Sequence, residues 1–374
     1  MIRIIASLLL TVAAASSIAQ TPLLPATTAR SWLLLDVTAN HIIAASNADE
    51  RVEPASLTKL MSAYAIFTAI KEGKFARTQV VPISEKAWRT GGSKMFVDPK
   101  KPVTAEELLH GMIVQSGNDA SVALAEASSG SEDAFALQMN ELAKKLGMKN
   151  SNFTNASGLP DGKHYSTAFD LALVAAAIIR EFPDFYPIYS IKEYRYNNIS
   201  QANRNRLLWL DPNVDGVKTG HTEKAGYCLI ASAKRGERRL LSVVMGTPSD
   251  ALRAQEAQTL LNFGFQHYDT VRVHEKDTSI AKVRIWKGVA QELSVGMDAS
   301  ILVAIPKGTN DKIKAELATE QPIYAPITKG QRIGIVKVSY DGRPLGEHPA
   351  VALESVAPAG FFGRSLDAVK LWMK

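Results

Sequence analysis

A single cysteine, Cys228, stands in the whole chain, which excludes an internal disulfide and any cysteine-rich metal site. It lies in the apolar run "GYCLIASAK", where a buried free thiol acts as a small hydrophobe. The seven histidines are scattered, without His-Glu-x-x-His or any paired-ligand spacing, so no metal and no cofactor is called for. Basic residues outnumber acidic ones by only six charges, and no basic run is dense enough for nucleic acid. That modest balance suits anionic envelope surfaces instead. Internal repeats and low-complexity tracts are also missing. What is left is an ordinary globular composition over 374 residues, enough for two or three domains and at least one large core.

The first residues, "MIRIIASLLLTVAAASSIAQTPLLP", carry one early arginine and an apolar run too short to span a bilayer, closed by small polar residues. Ser17 and Ala19 suit the two positions that signal peptidase reads. The expectation is a secretory signal over residues 1–19, cleaved before Gln20, with an uncleaved anchor as the alternative. Next, "SWLLLDVTANHIIAAS" reads as two strands joined by a turn at Thr38-Ala39-Asn40. Helical signals dominate from Ser56 to about Arg180, in segments opened by Ser or Thr caps. Strand character returns near Lys218 and continues through "GYCLIASAKR" and "RRLLSVVMG", before a helix in "DALRAQEAQTLLNFGFQHY". Strands at both ends with helices between imply one mixed α/β domain, residues 25–270, whose sheet joins its first and last segments. From Val271 to residue 356, short alternating runs broken by Gly, Pro and Asp predict a small all-β domain, and residues 357–374 return to helical spacing.

Three motifs carry chemistry. In "EPASLTKLMSAYAI", Ser56 and Lys59 share one face of a predicted helix. Ser56 is either an N-cap, with Lys59 pointing to water, or a nucleophile whose proton passes to the lysine one turn on. A second Ser-x-x-Lys, Ser279 to Lys282, lies in an alternating strand, where positions three apart face opposite ways, so it is a decoy. "QSGND" places Ser116-Gly117-Asn118 in a break between two apolar helices, either as a plain turn with Asn118 capping the next helix or as a site. "DGVKTGHTEKAGYCL" places Lys218-Thr219-Gly220 at a strand start, where a polar turn is the plain reading. The triplet-like "RTGG" at 89–92 shows that such strings also arise by chance.

Taken together and in this order, Ser-x-x-Lys, Ser-x-Asn and Lys-Thr-Gly are the set shared by penicillin-binding proteins and class A β-lactamases. "EPASLTKLMSAY", "QSGNDASVALAE", "NRNRLLW", "NVDGVKTGHTEKAGY" and the β domain with its helical tail resemble the D-alanyl-D-alanine carboxypeptidases among the low-molecular-mass penicillin-binding proteins, from about residue 25 to the carboxyl terminus. The resemblance implies a β-lactamase/transpeptidase-like α/β domain, an antiparallel sheet with helices, followed by the small all-β domain. It implies that Ser56 is the nucleophile, with Lys59 as its proton acceptor in a desolvated site beside the second cation Lys218. Ser116 would relay a proton to the leaving D-alanine, and Asn118 would hold the substrate amide. Lys218 and Thr219 would meet the terminal carboxylate. The oxyanion would rest between the Ser56 N–H and a backbone N–H near His221, while Gly220 leaves the strand edge bare for a peptide. Arg204 and Arg253 fall where basic residues help bind the carboxylate, with ordinary surface arginines as the plain reading.

The expected partners are peptidoglycan pentapeptide and β-lactams. Rival expectations are a β-lactamase, a D,D-endopeptidase and a catalytically silent wall-binding protein. The stretch "NASGLPDGKHYST" offers Asp161 but no glutamate for a deacylating water, and the second motif reads Ser-Gly-Asn rather than Ser-Asp-Asn, which favours the carboxypeptidase. At about 100° per residue, Phe361, Phe362, Leu366, Ala368, Val369, Trp372 and Met373 gather on one side of the tail helix, with Arg364, Asp367 and Lys370 on the other. Such a helix either packs on its own β domain or lies in a membrane interface, which with the signal places the protein at the periplasmic face of the inner membrane.

Overall fold

The computed structural model describes residues 23–373, so the expected signal segment lies outside the described residues. Ser31–Asp36 and His41–Ser46 form the expected hairpin, and its turn occupies 37–40. These strands join the later ones in a five-stranded antiparallel sheet, ordered His41–Ser46, Ser31–Asp36, Arg238–Thr247, Gly226–Arg235, Val214–Thr222. The first strand thus pairs with the last, as strands at both sequence ends implied, and Val214–Thr222 is left as an edge.

Helices fill one face of this sheet. Caps behave as the sequence suggested: Thr104, Ser131 and Thr167 each accept a backbone N–H in the first turn of Ala105–Val114, Glu132–Lys145 and Ala168–Glu181. A side-chain acceptor there satisfies one of the amides that a helix start leaves free. Helix Thr58–Lys71 is the central one, buried nearly all round, so its apolar residues do not form a single stripe. Phe67 lies at its heart, wholly buried and stacked on Phe185 with ring centroids 4.3 Å apart. On the other face, helix Asp250–His267 packs against the sheet through Ala254, Ala257, Leu260 and Leu261.

Beyond it stands the all-β part, a six-stranded sheet beside a two-stranded pair, Tyr268–His274 with Ile301–Pro306, around a core of its own. Ser279–Trp286 is one of these strands, so the second Ser-x-x-Lys is strand-borne as expected. A last helix, Phe361–Trp372, follows. Its apolar side chains are not packed on the β part: Phe362 is 88% and Trp372 87% exposed, while Asp367 on the polar side accepts the Lys287 N–H at 2.6 Å. The helix is therefore tethered by its polar side.

Removing the Phe67 ring should leave a cavity beside Phe182 and Phe185. Phe67→Ala is expected to cost about 3–5 kcal/mol, read as a lowered denaturant midpoint with unchanged slope for the α/β part.

Candidate active site

Ser56 does not cap the central helix. A short 3-10 turn, Ala55–Leu57, precedes Thr58, and no side chain caps that start. Ala55 is held at φ +47°, a left-handed conformation that costs a non-glycine residue free energy and persists only where the surroundings impose it. The turn leaves the Ser56 hydroxyl at the rim of a cleft of about 450 Å³. Lys59 does not point to water either; it is 1% exposed. Its Nζ donates to Ser56 Oγ at 3.0 Å, Asn118 Oδ1 at 2.7 Å and the Ser157 carbonyl at 2.7 Å.

The break between helices Ala105–Val114 and Asn118–Ser129 supplies Ser116, at φ +62°. Its hydroxyl lines the cleft and, though buried, has no hydrogen-bond partner. A buried orphan hydroxyl is costly, which marks a position kept for something other than packing. Asn118 does not cap its helix, since Gly117 occupies the cap position. Oδ1 accepts from Lys59 and Nδ2 donates to the Gly91 carbonyl at 2.8 Å, so the amide chiefly ties the lysine to the loop at 91–93. Next to it the buried Asp119 accepts the N–H groups of Met95, Phe96 and Val97 at 2.8, 2.8 and 3.2 Å, fixing that same loop.

Along the edge strand Val214–Thr222, Thr219, Gly220 and His221 line the cleft. Gly220 serves a closer approach than bareness to a peptide: a Cβ there would sit 3.1 Å from the Pro54 carbonyl oxygen and 3.3 Å from the Leu57 nitrogen. Glycine lets the strand pack against the nucleophile's own turn. Lys218 lies behind the wall, 3% exposed, with Nζ donating to the Thr219 carbonyl at 3.1 Å. His221 is exposed, its ring on Tyr227 at 4.1 Å between centroids. Arg204 is exposed and donates to Ser93 Oγ at 2.8 Å. Arg253 is no surface arginine. It is 5% exposed, donates to the Gly220 carbonyl at 3.1 Å, pairs with Asp250 and lies 5.5 Å from the Tyr227 ring centroid.

All ten residues expected at a site converge within this region, eight of them from Ser56, Ser116, Thr219, Gly220, His221, Arg204 and Arg253 in the lining to Lys59 directly beneath Ser56. Sequence reasoning missed Gly92, Ser93, Tyr227 and the Ser157 carbonyl. The string "RTGG", set aside as chance, ends at Gly92 in the cleft wall. A Cβ on Gly92 would come 2.6 Å from Asn118 Nδ2, and this glycine has φ +80°. A lone glycine pair in the sequence gave no reason to look there.

The Lys59 amine is lowered to about 7, chiefly by burial and then by Arg204, with Asp119 opposing the shift. Arg204 thus depresses Lys59, and Lys59 and the expected cation Lys218 repel each other. Lys218 is itself held well below the ordinary lysine range by burial first, then by Lys59, Arg204 and Arg253. Burial beside Arg204 and Lys218, with no carboxylate hydrogen-bonded to Lys59, favours its neutral, proton-accepting form. Below the nucleophile, Thr154 N–H donates to His164 Nδ1 at 3.1 Å, which leaves Nε2 to donate to Thr58 Oγ1 at 2.8 Å. Burial lowers His164 to about 4, so this link is neutral.

A nucleophile, a neutral amine able to take its proton and a cationic wall for an anion make a site for serine acyl transfer. The chain belongs to the D-alanyl-D-alanine carboxypeptidase family, whose model matches residues 16–249; the penicillin-binding protein 5 C-terminal domain matches residues 268–358. It is 41% identical to D-alanyl-D-alanine carboxypeptidase DacC of Escherichia coli (strain K12), covering 94% of this chain and 90% of that one. It is 42% identical to DacA of Haemophilus influenzae over 94% and 91% of the respective chains. Among solved structures, penicillin binding protein 5 of Haemophilus influenzae superposes with a TM-score of 0.85 at 41% identity, covering 90% of this chain and 99% of that one. Penicillin-binding protein D2 of Listeria monocytogenes in its ampicillin-bound form matches with a TM-score of 0.60 at 30% identity, over 66% and 100%.

A reaction in which Lys59 accepts the Ser56 proton should accelerate as pH rises through about 7 and then level off. An unfolded lysine keeps its proton up to about 10.5, so the unfolded chain binds more protons between about 7 and 10.5. The contribution of this group to stability therefore increases as pH rises through that window. Stopped-flow acylation and chemical denaturation across pH measure the two effects. A flat acylation profile would remove Lys59 from the proton-accepting role.

Proposed function

We infer that this protein is a serine-type D-Ala-D-Ala carboxypeptidase that removes the terminal D-alanine of peptidoglycan pentapeptides and is acylated by penicillins. The observation that carries the reading is the Lys59 amine, lowered to about 7 and 3.0 Å from Ser56 Oγ. Ser56 Oγ attacks the penultimate D-alanine carbonyl as its proton passes to Lys59, and the oxyanion rests against the Ser56 N–H and a backbone N–H near His221. Arg204, Arg253 and Thr219 meet the free carboxylate, with Lys218 adding positive field from behind the wall. As the C–N bond breaks, the departing amine takes a proton from Lys59 through Ser116, whose unpartnered hydroxyl faces the cleft. Water then attacks the ester and frees Ser56. A β-lactam carbonyl enters the same first step.

The β-lactamase alternative needs a carboxylate beside the deacylating water. Among the described residues lining the cleft there is none, and Asp161 lies outside it, accepting the Lys163 N–H at 2.8 Å. An endopeptidase or a silent wall-binding protein draws no specific support from the site. Ser56→Ala should fold normally, lose all covalent penicillin labelling and lower D-alanine release by about a factor of 10⁶. Retained labelling would refute the nucleophile assignment.

Export by a cleaved signal and attachment to the periplasmic face of the inner membrane complete the proposal. In support, helix Phe361–Trp372 turns Phe361, Phe362, Leu366, Val369 and Trp372 to solvent. Among the described residues no helix is long and apolar enough to cross a membrane, so an interfacial position is the membrane option for this one. Deleting residues 358–374 should release the protein from washed membranes while soluble peptide is still cleaved at the parental rate. Sedimentation of the truncated protein with membranes as fully as the parent would exclude the tail as anchor.

A further inference from the structure

A neutral primary amine has two hydrogens and one lone pair, so three partners cannot be equivalent. Two of the three partners of Lys59 Nζ, Asn118 Oδ1 and the Ser157 carbonyl, can only accept, and each lies at 2.7 Å. They take both hydrogens. The third direction, toward Ser56 Oγ at 3.0 Å, where the ammonium form donates, is left in the neutral form for the lone pair, which can then accept the serine hydroxyl's proton. The aim of that lone pair therefore depends on where the Ser157 carbonyl is held.

One side chain organises this segment. Asn155 Oδ1 accepts the N–H of Ser157 at 3.2 Å and of Gly158 at 2.7 Å, and Nδ2 donates to the Leu159 carbonyl at 3.0 Å. With both amides drawn to Asn155, the Ser157 carbonyl is turned toward Lys59. Neighbouring residues clamp the rest: the Ala156 N–H donates to Glu132 at 3.0 Å and Ser62 Oγ donates to the Ala156 carbonyl at 2.6 Å. Gly158, at φ +81°, packs so tightly that a Cβ would come 1.8 Å from the Ala55 carbonyl oxygen.

We propose that Asn155 is a positioning residue for acylation: by holding the Ser157 and Gly158 amides it sets the Ser157 carbonyl on Lys59 and so directs the lysine lone pair to Ser56. This rests on Lys59 as the proton acceptor. A displacement of about 1 Å in a reacting group is enough to lower a rate by about 10², whereas the cationic wall that binds substrate is untouched by Asn155.

The test resolves penicillin acylation of the full chain into the binding constant and the rate of the chemical step. It is run near pH 9, above the titration of Lys59. Asn155→Leu, similar in size but without an acceptor, should slow the chemical step about ten- to a hundred-fold with binding unchanged. Asn155→Asp keeps the acceptor oxygen and should recover most of the rate. Equal rates in the two variants, or a loss confined to binding, would overturn the proposal. Lys59→Ala, measured alongside, separates the two possible failures. If it acylates like the parent, the proton-acceptor reading fails. If it is inert while Asn155→Leu acylates like the parent, only the role of Asn155 fails. Should Asn155→Leu not fold, Asn155→Ser, which retains a shorter acceptor, must lie between Asp and the parentally folded Asn155→Ala in rate, and any other order overturns the proposal.

Discussion

Everything at this site depends on the burial of one amine. Lys59 is removed from water and given acceptors rather than a carboxylate, and an ammonium ion in such a place is expensive. The surrounding helices create that cost by packing on the central helix from every side. A lysine lowered to about 7 is thus a consequence of core construction.

Such a site has to be held open against the tendency of a core to collapse or relax. Ala55 and Ser116 both sit in left-handed backbone conformations, one on each side of the lysine. Neither residue type favours that region, so the strain is carried by the packing around them. Carboxylates outside the cleft, Asp119 and Glu132 buried and Asp250 partly exposed, do part of that work. Asp119 holds the loop at 95–97 through three amides, Glu132 holds Ala156, and Asp250 anchors Arg253. None of these acids lines the cleft, which stays positive toward an anionic ligand. The acidic residues therefore shape the site from outside its lining, with Asp119 opposing only part of the Lys59 shift.

Much of this was readable from residue spacing. Ser56 and Lys59 are three apart where a 3-10 turn runs into the central helix, and that local spacing brings them together. The decoy pair Ser279 and Lys282 has the same spacing on a strand and goes nowhere. Alternation and turn residues gave the sheet of the α/β part and the texture of the β part, because those patterns come from periodic burial of one face. Less readable were the contacts that Asn118 makes inside the protein, with Lys59 and the Gly91 carbonyl, and the room that Gly220 leaves for the turn before Ser56. Both depend on neighbours from distant parts of the chain.

By itself the sequence determined the pairing of Ser56 with Lys59, the order of the three motifs and the helix-then-strand elements that carry them, since each depends on short-range periodicity and residue chemistry. Only the tertiary structure decided the protonation of Lys59, the cation that lowers it and the atoms that aim it. Those depend on Arg204, Asn118 and the backbone of Ser157, brought together from distant parts of the chain. A backbone carbonyl has the same chemistry at every position, so no residue letter announces it, and desolvation is a property of the assembled core rather than of any segment.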